Sequence, residues 1–219
     1  MALPTFLSLV NDVLVRLREP EVTTVNENVL SKLVGKFVND AKRQVEDSYD
    51  WNALTTTLTA NTSDGIFNYA LVGTGSRFKV IEIYNNTNRY HLESRDAISM
   101  TQSFLSSPNP QKGAPNYFNF NGADSNGDTQ VDLFPIPDGV YQIFFNIYQP
   151  QNELTTDAAT MIVPKEPVIL LALARSLVER GEDGGLTNSE AYGMFKSALA
   201  DYIAIENSRY NELDSWNWA

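Results

Sequence analysis

The chemistry available to this chain is best judged from its few reactive side chains. His91 is the only histidine, and it stands next to Tyr90 and near Glu93 in a stretch patterned as strand or turn. One imidazole cannot build a multi-histidine metal site. A Ser-His-Asp relay would have to run through it, yet no Gly-x-Ser-x-Gly elbow or comparable nucleophile setting is present. His91 therefore reads as an ordinary residue, and a hydrolase of that type is set aside. The absence of cysteine removes disulfides, thiolate metal sites and thiol nucleophiles together, and is consistent with assembly in a reducing cytoplasm.

Three further patterns invite chemistry. Asp124-Ser125-Asn126-Gly127-Asp128 followed by Asp132 has the alternating oxygen ligands that calcium favours. However, Gly127 comes two places early for such a loop, and Pro135 stands where a bidentate Glu belongs. A hairpin turn on Asn126-Gly127 accounts for the same residues. The run Gly73-Thr74-Gly75-Ser76-Arg77 resembles a phosphate loop only in its glycines, lacking the spacing and the Lys-Ser/Thr ending, and reads as a turn between strands. Asp47, Asp50, Asp157 and Glu182 are carboxylates that could in principle pair for acid–base work, but nothing in the sequence places any two together. The expectation is no catalytic residue, no metal and no cofactor.

Charge narrows the partners. The 27 acidic and 16 basic residues leave a formal net charge of −11, and no stretch gathers the Lys/Arg cluster that neutralises phosphates. Tight DNA binding is not expected. An acidic wall could still let a duplex slide past without sticking. No run approaches the ~18 apolar residues of a membrane span, and the N-terminus lacks a signal-peptide pattern, so the reading is of a soluble, non-secreted protein.

The elements that would hold these residues fall into three stretches. Phe6, Val10, Val13, Leu14 and Leu17 recur at helical spacing, with Pro4 placed in the first turn. Arg18 to Val25 is a connecting loop, because Pro20 restricts Glu19 to extended conformations. A long helix follows from about Asn26 to Tyr49, with Val29, Leu33, Phe37, Ala41 and Val45 as one ridge and Leu30, Val34 and Val38 beside it. From Trp51 the pattern becomes Thr-rich, alternating and aromatic. Strands are expected at 54–59, 66–72, 77–84, 116–120, 130–134 and 141–148, mostly antiparallel, with a short helix from Ser94 to Phe104. Helical pattern returns with Pro164 and Pro167 at a start and Gly181 just past an end, and Val168 to Ala174 apolar on every side. A last helix is announced by Thr187 and Glu190 as a capping box with Leu186 as staple.

The expected fold class is α+β: a four-helix bundle built from N- and C-terminal helix pairs with an antiparallel β-rich insertion. Its expected parts are an N-terminal helix pair over 1–51, the β-rich insertion over 52–150, the C-terminal helix pair over 151–210 and a tail over 211–219. The strand aromatics Phe118, Phe120, Phe134, Phe144, Phe145 and Tyr148 should be mostly core. Trp216 and Trp218 sit in a polar tail, either as anchors for a groove on a partner or neighbouring copy or packed back on the chain's own helices.

The order of these parts resembles a known family. The segments Leu7 to Val25 (LSLVNDVLVRLREPEVTTV), Tyr49 to Asn52 (YDWN), FPIPDGVYQIFFNIYQPQNEL and MIVPKEPVILLALARSLVERGED, with a last helix ending near Arg209, are similar to the head-to-tail adaptor proteins of tailed phages, of the tail tubular protein A and head-completion types. The resemblance covers nearly the whole chain through patterns of fold rather than of chemistry. It implies a non-enzymatic virion protein of the neck, assembled in the host cytoplasm. It further implies a homo-oligomeric, twelvefold ring beneath the portal protein that presents a surface to a tail tube, hub or nozzle protein. DNA would pass through its lumen without specific binding, and no membrane would be involved. Tyr210, Leu213, Trp216 and Trp218 are the candidate partner contacts. The competing readings are a tail-associated receptor or glycan-binding module, and a glycoside-cleaving enzyme with two carboxylates in a cleft.

Overall fold

In the computed structural model, residues 3–75, 77–105, 108–181 and 186–209 are described, the backbone alone at 186 and 187. The chain divides into two units, Met1–Leu54 with Pro150–Ala219, and Thr55–Gln149.

In the first unit, α1 (Phe6–Arg16) is capped by Thr5, whose Oγ1 accepts from the Ser8 N–H at 3.2 Å. Pro4 thus precedes the cap instead of occupying the first turn. The helix buries Phe6, Leu9, Val10, Val13 and Leu14. It closes with Arg18 N–H donating to the Val15 carbonyl at 3.0 Å and Glu19 N–H to the Leu14 carbonyl at 2.9 Å. That closure needs a left-handed residue, and Arg18 supplies it at φ 59°. Because a Cβ is disfavoured there and the Arg18 side chain is exposed, Arg18→Gly is expected to raise stability by about 0.5–1 kcal/mol, read as a higher thermal midpoint.

Helix α2 (Val29–Ser48) starts at Asn28, whose side chain accepts from Ser31 N–H while Ser31 Oγ accepts from Asn28 N–H. This box sets the phase of the helix. Val34, Val38, Ala41 and Val45 turn inward along with Ser31, Lys42 and Glu46, whereas Val29, expected on a buried ridge, is 83% exposed. Gly35 is required by close packing: a Cβ there would lie 2.9 Å from Val25 Cγ1 and 3.1 Å from Phe6 Cζ.

Helix α4 (Lys165–Glu179) is buried at every position from Val168 to Ala172, which its all-round apolar run explains. It ends at Arg180, with Gly181 following at φ 78°. Helices α1, α2 and α5 (Leu186–Asn207) all pack on it. Thr187 lies inside the first turn of α5, two residues later than a cap would stand.

The second unit holds two four-stranded sheets. One has the order β1-β8-β3-β4, from Thr55–Asn61, Gln142–Tyr148, Lys79–Asn85 and Tyr90–His91; the other has the order β2-β7-β6-β5, from Asn68–Ala70, Thr129–Phe134, Tyr117–Ala123 and Glu93–Ser94. All pairings are antiparallel except β5 with β6, which run parallel and are joined through α3 (Ala97–Leu105). Asp96 caps α3, accepting from Ser99 N–H at 2.9 Å. A single core draws Ile83, Ile143, Phe145 and Ile147 from the first sheet and Phe118, Val131 and Leu133 from the second.

The chain is thus an α+β molecule, but the four-helix bundle with a β-rich insertion is not what it forms. Among the described residues there are five α-helices and two four-stranded sheets. One helix lies among the strands, and the strand residues build a sandwich with a core of their own. Helical periodicity reports that a face is buried but not which surface buries it.

Candidate functional site

The most buried charges lie where the chain re-enters the first unit. Lys42 and Glu46, one helical turn apart, have side chains 3% and 0% exposed and meet at 2.9 Å. The Lys42 Nζ also donates to the Gln151 carbonyl at 2.7 Å, and the Gln151 N–H donates to Glu46 Oε1 at 3.1 Å. One turn earlier, the Asn39 amide donates to the Leu154 carbonyl at 3.0 Å and accepts from the Leu154 N–H at 2.9 Å. Residues 151–154 are therefore stitched to α2 as though to a strand. Charges sealed in this way hold chain segments together and have no route to a substrate.

A second amide performs the same task for the loop after α1. Asn11 donates to the Val22 carbonyl and accepts from the Val22 N–H, both at 3.0 Å. Val25 N–H is held by Asp157 Oδ1 at 3.0 Å. Arg180 donates to the Leu17 carbonyl at 3.2 Å and pairs with Glu19. Trp51 is buried, its indole N–H donating to the Val45 carbonyl at 2.7 Å. The segments that carry the family resemblance are thus joined to one another by structural bonds.

The patterns that suggested chemistry are likewise occupied by the fold. His91 Nδ1 stands 3.3 Å from Glu82 Oε2 and its ring meets Tyr84 edge-on, on an exposed surface. Asp124 Oδ1 accepts from Asn126 N–H at 2.8 Å and Asp128 N–H at 2.9 Å, closing the turn between β6 and β7 on Gly127 at φ 85°. The Asp128 amide chiefly, with those of Asn126 and Gly127 following, holds the Asp124 carboxyl below its ordinary value. The amides of Gly73 and Gly75 do form an anion nest, at 2.9 and 3.3 Å, but its anion is Asp128 Oδ1. Asp132 accepts from Asn68 at 2.6 Å and Asn121 at 2.9 Å, tying β2, β6 and β7 together. Among the described residues, no group of three or more acidic or histidine side chains could hold a metal ion.

An open cleft of about 410 Å³ runs along α2 and α4, lined by Phe37, Asp40, Arg43, Gln44, Asp47 and Arg175. Arg43 pairs with Glu153 at 2.8 Å, and Arg175 donates to Gln44 at 2.9 Å and faces Asp40 at 3.8 Å. Its arginines are engaged and it offers no nucleophile, so it suits surface contact better than catalysis. Asp47 lines it, while Asp50 does not and Asp157 binds Val25. Glu182, Tyr210, Leu213, Trp216 and Trp218 lie outside the described residues. Of the strand aromatics, Phe118, Phe134 and Phe145 are buried, so they present no stacking face to a saccharide. Among the described residues no helix is long and apolar enough to cross a membrane.

Set beside known families, residues 4–216 match the model described as SU10 adaptor protein. The chain belongs to the SU10 adaptor protein family. It is a structural adaptor protein of a phage, a virion component that works through contacts with other virion components. No curated protein matches it. The resemblance to phage adaptors read from the residues holds at that level, and the matched span takes in parts of both units of the SU10 adaptor.

Proposed function

We propose that this SU10 adaptor is the head-to-tail connector of its virion: a ring of identical copies, twelvefold like the portal it docks beneath, with a tail tube, hub or nozzle protein below. The observation that carries this reading is the family match over residues 4–216, supported by side chains whose bonding is spent on the fold itself. In this reading the helical segments of 1–51 and 151–210 form the ring wall, while the β-rich segment 52–150 and the tail 211–219 offer docking surfaces. The protein is non-enzymatic and takes no cofactor. Repeated copies carrying a net charge of −11 make a lumen that repels phosphates if the acids face inward, so DNA passes without specific binding. Heterologous contacts close a ring only at the right rotation, and the portal provides the template.

Tyr210, Leu213, Trp216 and Trp218 are the proposed partner contacts, since aromatic anchors dominate interface energetics. Truncation after Asn211 is expected to weaken portal attachment at least tenfold in a co-sedimentation assay with unchanged circular dichroism. Unchanged attachment would remove the tail from the interface.

A further inference from the structure

The last helix ends at a fixed point. Glu206, its side chain 8% exposed, accepts from the Asn52 N–H at 3.1 Å and from the Arg209 guanidinium at 2.9 Å. Tyr49 donates to Asn207 Oδ1. Arg209, after which residues 210–219 follow, is therefore pinned beside the C-terminal end of α2. The open cleft lies on that same helix: Phe37, Asp40, Arg43, Gln44 and Asp47 line it from α2, and Arg175 from α4.

The ion pairs of the cleft leave part of its chemistry unused. Arg43 and Arg175 are 47% and 33% exposed while facing Glu153 and Asp40. A carboxylate engages the edge of a guanidinium and leaves its flat faces open, and those faces stack on aromatic rings. Phe37, half-buried against the core, adds an apolar wall. A volume of about 410 Å³ falls in the range of pockets that enclose ring systems.

We propose that, in the free protein, this cleft holds the tryptophan-bearing segment 210–219 of its own chain. Reach selects that occupant. From Tyr49 back to Phe37 is twelve residues, roughly 18 Å of helix, and the seven residues from Arg209 to Trp216 span up to roughly 23 Å. So short a tether presents Trp216 and Trp218 to the cleft at an effective concentration of roughly millimolar. Chemistry selects it as well, because an indole is the best aromatic partner for a guanidinium. The third tryptophan, Trp51, is buried with its N–H on the Val45 carbonyl. Asp40 and Asp47 share the lining with the two arginines, so Glu212 and Asp214 gain little there and the indoles make the contact. In the connector, release from the cleft frees the same residues for the portal. That consequence rests on the connector reading, whereas occupancy of the cleft does not.

The test uses the isolated full chain, which has no cysteine of its own. Gln44→Cys with Ser215→Cys is expected to cross-link within one chain under a short bismaleimide, keeping the 24.5 kDa of a single chain. Ala204→Cys with Ser215→Cys is the matched control. Ala204 is exposed on α5 five residues before Arg209, as Gln44 stands five residues before Tyr49, each roughly 8 Å along its helix. The control should link roughly tenfold more slowly, as for a tether not held at the site. Adding Arg43→Ala and Arg175→Ala to the first pair should slow its link by about tenfold, the loss of two cation–π contacts, with unchanged circular dichroism. Equal rates at the two positions, an arginine variant that links as fast as its parent, or a link between chains in place of a link within one would overturn the proposal. Portal attachment does not enter these readouts, so their outcome is separate from that of the connector reading.

Discussion

Replacing Glu46 by alanine is expected to lower the unfolding free energy by about 3–5 kcal/mol, the usual penalty for stranding one member of a buried ion pair. Lys42 would keep only the Gln151 carbonyl at 2.7 Å, and the Gln151 N–H would lose Glu46 Oε1. For a chain of this size the thermal midpoint should fall by on the order of 10 °C. The double variant Lys42→Met with Glu46→Leu should recover most of the loss, because a buried pair replaced by apolar side chains of similar volume is close to neutral. Thermal denaturation followed at a helix-sensitive wavelength measures both. A single variant as stable as the wild type would show that the pair is not sealed as described.

A second large effect is expected in the sandwich. Phe145 is fully buried at the centre of β8, opposite Leu58 of β1 and Ile83 of β3. Phe145→Ala should destabilise this unit by about 3–5 kcal/mol through lost burial and the cavity left behind. All three tryptophans fall outside residues 55–149, so tryptophan fluorescence reports poorly on the change. Hydrogen exchange of the β8 amides is the direct readout and should accelerate by at least a hundredfold, consistent with that loss.

How far the molecule is legible in its sequence depends on the range of the signal. The local periods of α1, α2 and α4 are strong enough to place those helices, and Gly181 marks the end of α4, whereas the caps Thr5 and Asn28 are passed over in favour of Pro4 and a start near Asn26. Strands β4 and β5, at two residues each, are too short to hold a period. The parallel pairing of β5 with β6 depends on a crossover that composition does not show. The bundle expectation failed because four amphipathic segments imply only four buried faces. The short helix expected at 94–104 is present as α3 beside β6, and what the periods did not show is that the strands have a separate core.

Legibility of the site was similarly uneven. One histidine and no cysteine narrow the reactive side chains directly. That Asp128 fills the Gly73–Gly75 nest could not be read in this way, since the residues lie 55 apart in sequence. Asn11 and Asn39 stood out only as polar residues on helices. Their reach to Val22 and Leu154 is set by tertiary packing.

The central claim, that this SU10 adaptor joins head to tail, is tested most directly by electron microscopy of the full chain mixed with the portal protein of the same genome. The account predicts an added ring on one face of the portal, with one copy of the adaptor per portal subunit. A well-formed portal that recruits no adaptor density would contradict it.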